Sequence, residues 1–186
     1  MVSLDRDMPA DIRSYIMDWD YTAYQPKGFD IVWASPPCTE YSMAKKTGVR
    51  KIEEANRISQ LTIDIIRYFG PQYWIIENPQ TGKLKEQGFM TDLPFKDVDY
   101  CKYGMPYRKR TRLWNNVECW TPRPLCHKDC DNMSDNGRRH AESAQRRPPD
   151  GREGRRFRRE ELYKVPESLI SEIFTSISNI NNIPTS

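Results

Sequence analysis

The sequence predicts an α/β fold, and three observations lead there. Two short apolar runs, Phe29 to Ser35 and Tyr73 to Ile76, each stop at proline-containing turns, the pattern of buried parallel strands. Between them, residues 52–69 place Ile58, Leu61, Ile65 and Phe69 at helical spacing, with Ile63 and Ile66 widening the apolar side. Strand, helix and strand in that order imply a βαβ crossover in a parallel sheet.

The elements follow in chain order. Val2-Ser3-Leu4 reads as a short strand ending at Asp5, and Ile12 to Met17 as a second ending at Asp18. The Phe29–Ser35 strand runs into Pro36-Pro37. Glu53, Glu54, Asn56 and Arg67 take the other faces of the 52–69 helix, which Gly70-Pro71 stops. The next strand ends at Glu77-Asn78-Pro79. Asp97 to Lys102 and Arg112 to Asn115 read as strands around Gly104-Met105-Pro106. Leu162, Val165, Leu169, Ile170, Ile173 and Phe174 give residues 160–177 a helical apolar face, with Pro166 suited to a first turn. Residues 1–115 and 160–186 are thus assigned to one core, and the Cys- and Arg-rich residues 116–159 to an insertion outside it.

Composition narrows the class. A chain of 186 residues suits one domain or one domain with an appendage, and five Trp, ten Tyr and six Phe offset a modest 37 % hydrophobic content. No apolar run approaches the roughly 20 residues that span a bilayer, so no membrane segment is expected. The N-terminal Met1 to Asp11 lacks the charged-then-apolar pattern of a secretion signal. Five cysteines, unevenly spread, argue against a disulfide framework and for an intracellular, reducing compartment. The net charge of +3 conceals an asymmetry: residues 1–40 are slightly acidic, whereas residues 138–159 hold nine Arg against Glu142, Asp150 and Glu153. Broken by Pro148, Pro149, Gly151 and Gly154, that stretch reads either as a solvated tail or as a phosphate-contacting loop. The Arg bias favours the loop, because guanidinium binds phosphate bidentately.

Chemistry concentrates at the strand ends, where open α/β sheets bind ligands. Cys38 follows the first strand of the βαβ unit, and Glu77 ends the second. Tyr103 to Trp114 brings Arg108, Lys109, Arg110 and Arg112 around another strand start. A single cysteine after a strand is most often a buried small residue. A thiol, a carboxylate and an arginine pair at successive strand ends instead suit covalent attack on an electron-poor, polar ring. Pro36-Pro37 should hold the thiol on a stiff loop, and Arg110 and Arg112 are the cations expected to favour its thiolate.

Ala34-Ser35-Pro36-Pro37-Cys38 resembles the nucleophile motif of the DNA cytosine-5 methyltransferases, and Ile76-Glu77-Asn78 resembles their glutamate motif. Tyr107 to Leu113 is similar to their arginine motif. Order agrees, with about forty residues from Cys to Glu and about thirty-four from Glu to the Arg pair. Val2 to Asp5 resembles the strand whose terminal acid holds the ribose of S-adenosylmethionine, Trp19-Asp20-Tyr21 the next motif, and Leu162 to Pro166 the last. The resemblance implies an S-adenosylmethionine-dependent, Rossmann-like methyltransferase sheet with DNA as partner. It implies that Cys38 attacks carbon 6 of a flipped cytosine, Glu77 holds ring nitrogen 3 and the exocyclic amine, and Arg112 steadies the carbonyl oxygen with Arg110 beside it. It assigns the cofactor to Asp5, Trp19, Pro36, Pro37, Val165 and Pro166. DNA contacts are expected from Arg108, Lys109, Arg138, Arg139, Arg146 and Arg147, Arg108 standing where many family members have Gln.

Three departures shape the expectation. The family's Phe-x-Gly-x-Gly loop would precede Val2, where only Met1 stands, so the sheet is expected to be truncated at its N-terminal edge. Tyr15 falls where the family often places Asp against the adenine, and residues 116–159 are far shorter than the usual target-recognition domain. A split enzyme completed by a second polypeptide, a shortened viral or phage-type methyltransferase, and a non-catalytic DNA-binding or regulatory relative all remain open. The insertion adds Cys126, Cys130 and His140, with Cys119 and His127 nearby. That set either binds zinc through Cys126, Cys130, His140 and Cys119 or consists of free thiols.

Overall fold

The computed structural model describes residues 1–144 and 157–181. These form two compact units: Met1–Asn78 with Gly82–Leu93, and Pro79–Thr81 with the described residues from Pro94 onward. The fold is α/β in composition, with both parallel and antiparallel strand pairs. No described helix is long and apolar enough to cross a membrane.

The first unit opens with β1 (Leu4–Asp5) parallel to β2 (Ile12–Arg13), Leu4 opposite Ile12. The strand expected over Ile12–Met17 stops at Arg13, and Ile16–Asp18 form a 3-10 turn. Its half-buried apolar residues Ile12 and Ile16 lie four apart, which suits a turn and not the two-residue period of a strand. The βαβ expectation holds: β3 (Ile31–Ala34), α1 (Ile52–Phe69) and β4 (Tyr73–Pro79), with β3 parallel to β4. The register runs from Ile31 opposite Tyr73 to Ala34 opposite Ile76.

Helix α1 buries Ala55, Ile58, Ser59, Thr62, Ile63, Ile65, Ile66 and Phe69, which recur at the 3.6-residue period. Each fully buried large apolar side chain contributes about 1.5–3 kcal/mol, so this face dominates the stability of the unit. Gly70, left-handed at φ 51°, ends the helix by donating its N–H to the Ile66 carbonyl at 2.9 Å. Phe69 then meets Phe29 edge-on, ring centroids 4.9 Å apart, while Trp19 lies 6.3 Å from Phe69 and 5.7 Å from Tyr24.

The second unit is built on β5 (Phe95–Asp99) antiparallel to β6 (Arg110–Asn115), with Phe95 opposite Trp114 and Asp99 opposite Arg110. The strand expected to reach Lys102 ends at Asp99, and Tyr100–Tyr103 form a 3-10 turn. Tyr100, Cys101 and Tyr103 are all buried, which alternation along a strand cannot achieve. The single helix expected over 160–177 is two: α2 (Arg159–Tyr163) and α3 (Glu167–Asn181). Pro166 lies at the break, where it bars helical conformation at Val165, and its carbonyl accepts the N–H groups of Leu169 and Ile170 to start α3. Leu169, Ile173 and Ile177 are buried, whereas Phe174 faces solvent. Val117 and Trp120, at the start of the 116–159 segment, are buried in this unit. Trp120 Nε1 donates to Glu172 of α3 at 3.0 Å.

Candidate active site

In the first unit the parallel register sets the site. Because Ala34 pairs with Ile76, Ser35 onward, which leaves β3, and Glu77 onward, the last residues of β4, lie at the same edge. Asn78 Nδ2 donates to the Pro36 carbonyl at 2.8 Å, so the Cys38 loop is tied to the strand end that carries Glu77. Glu77 and Asn78 are buried at 6 % and 1 % exposure, and Cys38 is half-buried. Asn78 Oδ1 is buried with no hydrogen-bond partner among the described residues, an acceptor at the same edge.

The loop beyond Cys38 is stiff. The Cys38 carbonyl accepts the Tyr41 N–H at 3.1 Å, and the fully buried Tyr41 donates its hydroxyl to Asn56 Oδ1 at 2.8 Å. Burial raises the Tyr41 hydroxyl pKa, with its bond to Ser59 pulling the other way. Glu40 accepts Lys45 Nζ at 2.7 and 2.6 Å and the Lys51 N–H at 2.8 Å, and these bonds hold its carboxyl below the usual range. Asn78 lies in the Ile76-Glu77-Asn78 motif, but nothing in the sequence marks its bond to Pro36, and Tyr41 and Glu40 do not stand out there at all.

The residues expected to hold cofactor divide between the units. Asp5 Oδ1 accepts the N–H groups of Asp7 and Met8 at 2.7 and 2.8 Å, which shapes the turn after β1 and leaves Oδ2 for a hydroxyl donor. Trp19 belongs to the aromatic group against Phe69, Pro36 is buried and Pro37 exposed. Val165 and Pro166 form the α2–α3 break in the second unit. There Met105, Pro106, Tyr107, Phe157, Glu161 and Lys164 line a cleft of about 140 Å³, smaller than the several hundred Å³ typical of ligand pockets.

Arg110 and Arg112 are held by carboxylates on β5. Arg110 donates to Asp99 at 3.1 and 2.7 Å, and Arg112 to Asp97 at 2.8 and 2.9 Å, each pair directly opposite in the ladder. The Asp99 side chain is fully buried, and its hydrogen bond raises the Arg110 pKa. Arg112 also lies over the Phe95 ring at 3.5 Å. The sequence signal for these pairs was Asp-x-Asp set against Arg-x-Arg across a turn.

Of the residues expected to contact DNA, Arg108, Arg138 and Arg139 are exposed. Lys109 donates to the Leu162 carbonyl at 3.1 Å and sits over the Tyr100 ring. Arg146 and Arg147 lie outside the described residues.

The cysteine cluster differs in one member from the expected set. Cys101, Cys126, Cys130 and His140 bring their ligand atoms within 4.8 Å of one another, a grouping able to hold a metal ion. Cys119 is not part of it; Cys101 takes its place, because the 3-10 turn after β5 carries its thiol inward. Burial raises the Cys101 thiol pKa, reinforced by the neighbouring Cys126. Burial acts upward on Cys126 too, but the Asp129 and Lys128 N–H groups and the Cys101 and Cys130 thiols outweigh it and lower its pKa. Burial, with Arg108 nearby, lowers the pKa of His140.

No protein-family model matches the chain. Among curated proteins it is 36 % identical over 184 residues to a probable DNA (cytosine-5)-methyltransferase of Frog virus 3 (isolate Goorha). The match covers 88 % of this chain and 83 % of that protein. The chain belongs to the DNA (cytosine-5)-methyltransferase family.

Proposed function

We propose that this family member transfers a methyl group to carbon 5 of cytosine in DNA, with Cys38 as nucleophile. The observation that carries the reading is the bond from Asn78 to the Pro36 carbonyl, which ties the thiol loop to the strand end bearing Glu77.

In this reading the Cys38 thiolate adds to carbon 6 of a cytosine drawn out of the stack, forming a C–S bond and pushing the electron pair to carbon 5. Glu77 gives its proton to ring nitrogen 3, so negative charge does not accumulate there, and holds the exocyclic amine. Asn78 Oδ1 offers a further acceptor at that edge. The family resemblance would give the cytosine carbonyl oxygen to Arg112 with Arg110 beside it; in the second unit their guanidinium groups are bonded to Asp97 and Asp99. Asp5, Trp19 and the Pro36-Pro37 turn are the first unit's candidates to hold S-adenosylmethionine, which supplies the methyl group. Fit at Asp5 rests on its exposed carboxylate, whose Oδ2 is left for a ribose hydroxyl by the turn bonds to Oδ1. Loss of the carbon 5 proton to water, with return of the ring nitrogen 3 proton to Glu77, then re-forms the double bond and expels Cys38 as thiolate.

DNA carrying 5-fluorocytosine, incubated with the protein and S-adenosylmethionine, tests this directly. Fluorine cannot leave as a proton does, so a covalent adduct should persist on a denaturing gel. Cys38→Ser should give none while DNA binding is largely kept. Equal adduct from both proteins excludes Cys38 as nucleophile. Absence of both adduct and calorimetric heat with S-adenosylmethionine, alone and with candidate partner polypeptides, favours the rival reading of a non-catalytic DNA-binding relative.

A further inference from the structure

We propose that Cys101, Cys126, Cys130 and His140 form a closed structural zinc site that pins the 116–144 segment to the β5–β6 hairpin. The four ligand atoms lie within 4.8 Å of one another, with Cys126 Sγ and Cys130 Sγ at 3.4 and 3.3 Å from His140 Nε2. Bond lengths of about 2.3 Å to sulfur and about 2.0 Å to nitrogen, at tetrahedral angles, require an S···N edge of about 3.5 Å. The cluster is therefore already at the size of the coordination shell.

The backbone places each ligand separately. Cys101 is fixed by the 3-10 turn that Gly104 closes. The Cys126 N–H donates to the buried Asp99 carboxylate at 2.9 Å, the group that holds Arg110. Between Cys126 and Cys130 the chain reverses through Lys128 at φ 69°, a left-handed conformation that costs a non-glycine residue. His140 is returned to the loop by its bridge with Met133 and by the Ala141 N–H on the Asn132 carbonyl at 2.9 Å, while Asn132 Nδ2 donates to the Met105 carbonyl. Three soft sulfurs with one imidazole select zinc over hard cations. Four protein ligands leave no open position, so the site is structural and not catalytic. Its place on Asp99 means the same carboxylate links the metal loop to Arg110.

The test uses the full chain and is independent of methylation. Protein purified in reducing buffer, loaded with Zn(II) and desalted should retain about one zinc per chain, the content of a single four-ligand site. Cobalt(II) in its place should give the intense visible bands and sulfur-to-cobalt charge transfer of a tetrahedral thiolate site. Cys101→Ser and His140→Ala should each lose most of the retained zinc to a chelator and alter the cobalt bands, whereas Cys119→Ser should leave both unchanged. Where a ligand variant fails to fold, the wild-type cobalt spectrum and the Cys119→Ser control still decide. No retained zinc, weak octahedral cobalt bands, or loss of metal in Cys119→Ser but not in Cys101→Ser would overturn the proposal.

Discussion

The β3–α1–β4 region and the β5–β6 region with its thiol loop both bury apolar side chains, Val98, Leu113, Trp114 and Trp120 among them in the second, but the second also builds a buried carboxylate and its partners into that core. In the first, Ile58, Ile63, Ile65, Ile66, Phe69, Ile75 and Ile76 are all buried, and polar contacts gather at the strand ends. In the second, a buried carboxylate, Asp99, takes both Arg110 and the Cys126 N–H, Arg112 takes Asp97, and Lys96 donates to the Val117 and Trp120 carbonyls. Burial is non-directional and shared among many neighbours, so it degrades gradually. Directional pairs fail when one partner goes, because the other is left desolvated.

The largest effect should therefore come from Asp99→Ala. It removes the partner of a guanidinium and of a backbone N–H together, and breaking a buried pair costs about 3–5 kcal/mol. Denaturant unfolding measures it; a loss under about 1 kcal/mol, the range of surface ion pairs, would erase the contrast. Ile66→Val, in the apolar region, should cost only about 0.5–1.5 kcal/mol, because one methylene is lost and its neighbours close in. A larger cost there would mean that α1 packs as tightly specified a contact as the Asp99 cluster.

The same contrast explains what the sequence makes legible. Apolar periodicity reports burial directly, so α1 was readable at both ends from Ile52 to Phe69, and β3 and β4 from their apolar runs. Cys38 and Glu77 were readable because each follows such a run. Cys101 was not, because its partners lie 25 or more positions away and a turn, not a strand, aims its thiol. Asp97-x-Asp99 complements Arg110-x-Arg112 in the sequence, but only the hairpin register turns that pattern into pairs. Likewise Pro166 was legible as a helix residue but not as the break between two helices, since a proline fits either a first turn or the residue before one.

The smallest effect should arise where the apolar region borrows a charge. Glu40 clasps Lys45 Nζ and the Lys51 N–H, tying the nucleophile loop to the start of α1. Those bonds hold its pKa below the ordinary value of 4.5, the Lys45 bond first and the Lys51 N–H second. A folded-state pKa below the unfolded one means that the unfolded chain binds the proton more readily. The contribution is thus fully present above pH 4.5 and is lost as pH falls through the folded value. Glu40→Gln should flatten that part of the acid-unfolding curve while leaving stability near neutrality only slightly reduced, since the amide oxygen can still accept from Lys45 Nζ or the Lys51 N–H. Chemical denaturation of both proteins at a series of pH values from neutral into the acid range checks it. An acid limb as steep in Glu40→Gln as in the wild type would show that the Glu40 carboxylate adds nothing measurable, leaving the loop to Tyr41, Asn78 and the Arg50 bonds to the Glu40 and Lys45 carbonyls.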